Sequence, residues 1–274
     1  MDPTSYAVTF ACYNQLGYTR QCIDSLVRTG LDLSRLVVVD NGSTDDTREF
    51  LEGLPLGGRV FNQGNLGCGV AWNQGALALQ AEWTVVMNND VVVSTSWLHD
   101  LIGAAQNQGL RLASPAMVEG EHDYDFEAFV QNDGQRMKHA VRRGSRHAVC
   151  MLIHKSVWAE VGYFQPVPKL WGYEDTLFFH ELDKAAVPTG VVGSSWIHHF
   201  GSVTQSAIKR ERGLTGKQGL SARNSHRLLG LSFWQRKLMK FQRELQLSRW
   251  KRQELEQFDM TLHGQRENGH FTWR

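Results

Sequence analysis

Three stretches of this chain share one plan. "YAVTFACYN" (residues 6–14), "RLVVVDNGSTDDT" (residues 35–47) and "WTVVMNND" (residues 83–90) each run apolar or β-branched and then break into polar residues. Helical spacing follows the first two, with apolar residues at Ile23, Leu26 and Val27 after the first and a stop at Gly30. Strands alternating with helices through short loops predict a doubly wound, mostly parallel sheet flanked by helices. Ligands of such sheets bind beyond the carboxyl ends of the strands. The polar clusters Tyr13-Asn14, Asp40-Asn41, Asn62–Asn65 and Asn88–Asp90 all fall at those ends.

The remainder extends the pattern. Ser43 or Thr44 is expected to cap the second helix, with Asp45 and Asp46 in its first turn. "RVFNQGNLG" reads as a third strand and loop, and "CGVAWNQGALALQ" as a third helix. "VVVSTSWLHDLIGAAQ" gives a short strand and a helix, while residues 119–147, polar and irregular, read as loops over the site. "AVCMLIHKSVWAEVGYF" is a strand followed by a helix. "LWGYEDTLFFHELDKA" becomes a helix with its acidic pair in the first turn, and "VPTGVVGSSWIHHFGS" is a last strand entering a His-rich loop. Residues 224–258 read as one or two helices with an apolar stripe of Leu231, Trp234, Leu238, Phe241 and Leu245. That stripe either packs on its own body or meets a membrane surface or a second subunit. Two halves of one domain, residues 1–110 and 111–204, and a helical basic extension, residues 205–274, follow.

Charge is unevenly spread. Residues 205–274 hold 15 Lys and Arg against 6 Asp and Glu, whereas residues 1–204 hold 14 against 22. A basic tail on an acidic body suggests an anionic partner for the tail, such as an anionic membrane surface; the plainer reading is a solvated helical face. The four cysteines form no CxxC pair and suit a reduced, cytoplasmic chain. The N-terminal residues have neither a basic n-region nor a long apolar stretch, so no signal peptide is expected. No apolar run approaches the roughly 20 residues of a membrane helix, which leaves peripheral contact with the inner face of the cell membrane. No nucleic-acid partner is expected, and the sequence leaves the oligomeric state open.

"VTFACYNQ", "VVVDNGSTDDT", "NQGNLGCGVAWNQGA", "VVMNNDVVV", "CMLIHKSVWAEVGYF", "WGYEDTLFFHEL" and "IHHFGSVT" occur in an order that resembles family 2 glycosyltransferases of the GT-A fold. The resemblance covers roughly residues 6–204 and points to the bacterial branch that builds O-antigen and capsule, including rhamnosyl- and galactofuranosyl-transferases. It implies an inverting transferase that moves a sugar from a UDP- or dTDP-sugar to a glycan or lipid-linked acceptor. Asp40 would accept the imide N–H of uracil or thymine, with Tyr13 against the base and Asn14 nearby; by itself Asp40 reads as a turn or cap residue. Asn65, Asn73 and Asn88 become donor-side candidates, beside plain turn and helix-surface roles. Gly64, Gly67 and Gly69 run in the reverse of the dinucleotide fingerprint, so nicotinamide binding is not expected.

Asp90 would carry the divalent metal, Mn²⁺ or Mg²⁺, that suits oxygen ligands and a diphosphate; alone, Asn88-Asn89-Asp90 reads as an Asx-turn. The resemblance places His198 at the metal or diphosphate, with His199 as the adjacent alternative. It makes Asp175 the catalytic base and Glu174 its support, where the residues alone read as helix-start acids. Trp171 is an acceptor platform or a core aromatic. Leu177, Glu181 and Gln165 stand where relatives commonly carry other residues, which weakens inference about the acceptor. A catalytically inactive nucleotide-sugar-binding protein of the same fold is the alternative. A nucleotidyltransferase would need a triphosphate loop near the N-terminus, and "ACYNQLGYTR" does not supply one.

Overall fold

The computed structural model describes residues 5–166, 174–201 and 229–274. Its N-terminal half realises the strand–helix alternation. Strands β1 (Tyr6–Cys12), β2 (Leu36–Asp40), β3 (Gly58–Phe61) and β4 (Trp83–Asn88) lie side by side in the order β4-β1-β2-β3, all parallel. Every residue of β2 is buried, as its unbroken apolar run requires. Helix α1 (Leu16–Arg28) turns Cys22, Ile23 and Leu26 into the core, and α2 (Thr47–Glu52) and α3 (Cys68–Ala78) complete the repeats. The cap of α2 differs from expectation. The Ser43 hydroxyl accepts from the Asn14 amide at 2.7 Å, and Asp45 Oδ1 accepts from the Thr47 amide at 3.1 Å. Ser43 thus ties two loops together, and Asp45 serves the helix start.

The second half mixes directions. It contains β5 (Val91–Val93), α4 (Trp97–Gln108), β6 (Leu112–Gly120), α5 (Phe126–Asn132), β7 (Val141–Arg143), β8 (Cys150–His154), α6 (Lys155–Val161), α7 (Glu174–Lys184) and β9 (Thr189–His199). Strand β8 inserts antiparallel between β4 and β6, while β9 runs parallel to β6 and antiparallel to β5 and β7. Residues 119–147 are not merely loops. They hold the end of β6, α5 and β7, because Phe126, Phe129, Val130 and Met137 supply an apolar face to a second core with Val118, Trp196 and Leu262. Asp125 caps α5, accepting from the Ala128 amide at 2.9 Å.

Strand β9 carries an irregularity against β6. Val192 pairs with Pro115 and Trp196 with Ala116, so Gly193, Ser194 and Ser195 are extra residues. A Cβ on Gly193 would lie 2.2 Å from the Met137 carbonyl oxygen, which only glycine escapes.

The C-terminal residues form more than helix. After α8 (Phe233–Phe258), β10 (His263–Glu267) and β11 (His270–Trp273) make a hairpin, and β10 joins the main sheet parallel to β6. The Asn268-Gly269 turn has both φ angles positive (50° and 74°), the geometry an Asn-Gly dipeptide favours. Helix α8 is fastened at its C-terminal end by Arg142, whose guanidinium grips Glu254 at 2.8 and 2.5 Å. Further back the apolar stripe does not pack on the described body: Trp234 is 75% exposed, and Leu238, Phe241 and Leu245 are also exposed. Among the described residues no helix is long and apolar enough to cross a membrane.

Candidate active site

The carboxyl ends of β1, β2 and β4 gather the expected polar residues. Asn14 and Gln15 adopt left-handed backbone (φ 51° and 58°), folding the β1 loop over the β2 loop. There Asn14 Oδ1 accepts from the Thr44 amide at 2.7 Å, and Tyr13 is half-buried alongside. Asp40 is buried and its Oδ1 accepts from the Ser43 amide at 3.0 Å. The organising residue was not singled out in the sequence. Asn41 accepts from Asn62 Nδ2 and the Leu66 amide, each at 3.0 Å, and donates to Asn65 Oδ1 at 3.0 Å. Asn65 Oδ1 also accepts from the Gly67 amide, so its side chain shapes the turn into α3. Asn73 is committed elsewhere: its amide donates to the Phe164 carbonyl at 2.7 Å and accepts from the Phe164 amide at 3.0 Å. That pairing gives Asn73 a structural role between α3 and Phe164.

Asn88-Asn89-Asp90 divides its labour. Asn88 ends β4, half-buried. Asn89 is buried and donates to Thr19 Oγ1 at 3.0 Å, anchoring α1. Asp90 is buried, and its carbonyl accepts from the Phe200 amide at 3.1 Å. Its carboxylate oxygen lies 3.4 Å from Nε2 of His199, not of His198. Successive side chains of a strand point to opposite faces. His198 aligns with Val92 and Val118, whose side chains pack in the second core, whereas His199 aligns with Val91 and Glu119. His198 therefore turns into an aromatic cluster, where its Nε2–H donates to the Gly120 carbonyl at 3.2 Å and its Nδ1 accepts from Tyr124 at 3.0 Å. Burial, helped by the nearby His122 charge, pushes its pKa down to about 3. Of the two expected histidines, His199, the adjacent alternative, is therefore the one beside Asp90, and His198 is turned away from it.

His199 is 5% exposed, with Nδ1 3.6 Å from Glu119. Burial pushes its pKa down, but the Asp90 and Glu119 carboxylates outweigh that and hold it up at about 9. Neither ring nitrogen is aligned for a hydrogen bond. A divalent cation such as Mn²⁺, which accepts nitrogen and oxygen together, would bind His199 and Asp90 in place of the imidazole proton. Among the described residues no three His, Cys, Asp or Glu side chains form a ready-made cage. Asp90 and His199 fit the metal as a partial donor set that a diphosphate would complete.

Glu174 and Asp175 stand in the first turn of α7. Glu174 is buried; Asp175 is half-buried and its Oδ1 accepts from the Thr176 amide at 2.7 Å. Gly69 lets this helix start sit against α3, since a Cβ there would lie 2.6 Å from Glu174 Cγ. Solvent reaches Cys68, the first residue of α3. Its thiol pKa is raised first by burial of the thiol and then by the charges of Glu174, Asp90 and Asp175. Trp171 lies outside the described residues.

Comparison with known proteins agrees with this geometry. The family model for Glycosyl transferase family 2 matches residues 8–157. The putative glycosyltransferase EpsH of Bacillus subtilis (strain 168) is 24% identical over 111 residues, 39% of this chain and 32% of that protein. GalNAc-T7, solved with UDP, GalNAc and Mn²⁺, superposes with a TM-score of 0.57 at 14% identity, over 72% of this chain and 44% of that one. Residues 1–349 of S. aureus TarS give 0.55 at 15% identity, covering 82% and 69%. The mannosyltransferase PcManGT of Pyrobaculum calidifontis, solved with GDP-Man and Mn²⁺, gives 0.54 at 15% identity, covering 77% and 61%. The chain thus spans about a third of the curated relative. The structural likenesses establish the expected GT-A fold.

Proposed function

The chain belongs to glycosyl transferase family 2, and on that premise we propose that it is an inverting, metal-dependent glycosyltransferase using a nucleoside-diphosphate sugar. The observation that carries this reading is the pairing of buried Asp90, at the carboxyl end of β4, with His199. In the proposed mechanism Asp40 accepts the imide N–H of a uracil or thymine base and Tyr13 lies against the ring. Asp90 and His199 would hold the cation, which would supply neutralisation of the charge on the leaving diphosphate. Asp175 takes the proton of the acceptor hydroxyl, which attacks the anomeric carbon in one displacement as the nucleoside diphosphate leaves. Glu174, pressed against Gly69, fixes the depth of that helix start.

The bound UDP, UDP-GlcNAc and GDP-Man of the structural neighbours support a nucleotide-sugar donor. We assign the product to cell-surface polysaccharide, in the rhamnosyl- or galactofuranosyl-transferase branch. The exposed α8 stripe, flanked by Lys237 and Lys240, is assigned to the anionic inner face of the membrane, where a lipid-linked acceptor would lie.

The test is a screen of UDP-, dTDP- and GDP-sugars for Mn²⁺-dependent transfer or hydrolysis. Asp175→Asn is expected to lose roughly 10²–10⁴-fold in rate while still binding donor. An unchanged rate removes Asp175 as base. Donor binding without turnover in the native chain favours the inactive sugar-nucleotide-binding alternative. If no nucleotide sugar binds, the reading fails.

A further inference from the structure

The C-terminal hairpin has no part in the reaction described above, yet it reaches the metal-side histidine. In the sheet order β5-β9-β6-β10, the aligned residues Val91, His199, Glu119 and Gln265 form one transverse row. Glu119 stands between His199 and the hairpin. Its Oε1 lies 3.6 Å from His199 Nδ1, while Oε2 lies 3.4 Å from His263 Nε2 and 2.9 Å from an Arg274 guanidinium nitrogen. His199 in turn presents Nε2 to Asp90 at 3.4 Å. Asp90, His199, Glu119 and the hairpin side chains of His263 and Arg274 therefore form one continuous chain of polar contacts, with its inner end buried and its outer end at the surface.

A histidine that ligates a metal through one nitrogen is oriented by what the other nitrogen meets. Here that partner is a carboxylate, and the carboxylate is itself fixed from its far side. Leu262, entering the hairpin, donates its amide to Glu254 at 2.9 Å, so the same buried acid that fastens α8 also sets where β10 begins.

We propose that Glu119 is a positioning residue, clamped by His263 and Arg274, that aims His199 at the cation held with Asp90. The last residues of the chain are then part of the metal-binding apparatus. This rests on the reading of Asp90 and His199 as the metal pair.

The experiment is Mn²⁺ titration of the full chain in the presence of UDP, followed by the electron paramagnetic resonance signal of free Mn²⁺. Five proteins are compared: native, Asp90→Asn, His199→Gln, Glu119→Gln and Arg274→Ala. Melting temperatures and metal-free UDP affinity are measured alongside. Asp90→Asn and His199→Gln test the pair itself. Glu119→Gln is expected to weaken Mn²⁺ binding by about 10–100-fold, the range for partners of ligating residues. Arg274→Ala, at a half-exposed side chain that the fold tolerates losing, is expected to weaken it less, with melting temperature and metal-free UDP affinity unchanged. Weakening by Asp90→Asn and His199→Gln, with native affinity in both Glu119→Gln and Arg274→Ala, overturns the positioning role and leaves the metal pair standing. Native affinity in all four variants overturns both. If Glu119→Gln fails to fold, Arg274→Ala decides alone.

Discussion

Asn73 and Phe164 exchange two hydrogen bonds across 91 residues of sequence, side-chain amide to main chain, at 2.7 and 3.0 Å. The pairing pins the segment that leads to α7 against α3. Asn73→Ala is expected to destabilise the protein by about 1–3 kcal/mol, leaving a main-chain donor and acceptor poorly paired. Donor affinity of the folded fraction should stay native. Urea denaturation and donor titration separate the two effects; weakened donor binding at native stability would restore a donor-side role.

Gly69 admits Glu174 to within a distance that a methyl group would occupy. Gly69→Ala must push the start of α7 outward. Overpacking of this kind costs about 1–3 kcal/mol, but a displacement near 1 Å at reacting groups costs on the order of 10²-fold in rate. The expected result is a fall in kcat much larger than the fall in thermal stability. Native kcat would separate Glu174 from the catalytic geometry.

Arg142 and Glu254 form a nearly buried bidentate pair that joins β7 to α8. Removing one partner leaves an uncompensated charge, which costs about 3–5 kcal/mol. Glu254→Ala is expected to release both α8 and the hairpin, because Glu254 also accepts from the Leu262 amide. Limited trypsin digestion of the variant should clip the C-terminal segment early; a native digestion pattern would contradict this.

Two histidines, buried His198 and half-buried His147, make the fold acid-sensitive. Burial pushes the pKa of His147 down to about 4 and that of His198 down to about 3, both from 6.5. The unfolded chain binds these protons at higher pH than the native one. Their contribution is therefore present above pH 6.5 and is lost as pH falls toward 4 and 3, at on the order of 1 kcal/mol per pH unit for each. Denaturant midpoints should decline from pH 6.5 to 4.5. A flat profile would show that neither histidine is buried neutral.

Trp234, Leu238, Phe241 and Leu245 share one exposed face of α8. Binding to phosphatidylglycerol vesicles at low salt is expected, falling steeply as salt rises. Each basic residue near such a surface is worth about 1 kcal/mol, so Lys237→Glu with Lys240→Glu should abolish sedimentation with vesicles. Failure of the native chain to bind would exclude the membrane assignment.

The first half of the fold was legible because its strands are unbroken apolar runs and its polar clusters sit where those runs end. Asp40, Asp90 and the acidic pair of α7 stood out at such ends or at a helix start, but only the family resemblance gave them roles. Other features depended on register. Nothing local in "WIHHFGS" says which histidine faces the cleft; that follows from the extra residues Gly193, Ser194 and Ser195 in β9. Glu119 read as the start of a loop because its partners lie 80 and more residues away. The hairpin did leave a local signal, the Asn268-Gly269 dipeptide, which the basic composition around it obscured.

The three extra residues of β9 form an odd count, and parity has a consequence for inheritance. Gain or loss of one residue there would exchange the faces of the strand beyond it, burying whatever had faced the cleft. With histidine at both positions 198 and 199, a gain of one residue would bring His198 to the place of His199, whereas a loss would bring Phe200 there. The doublet makes this corner of the protein tolerant of an insertion, the kind of mutation that strands usually bear badly.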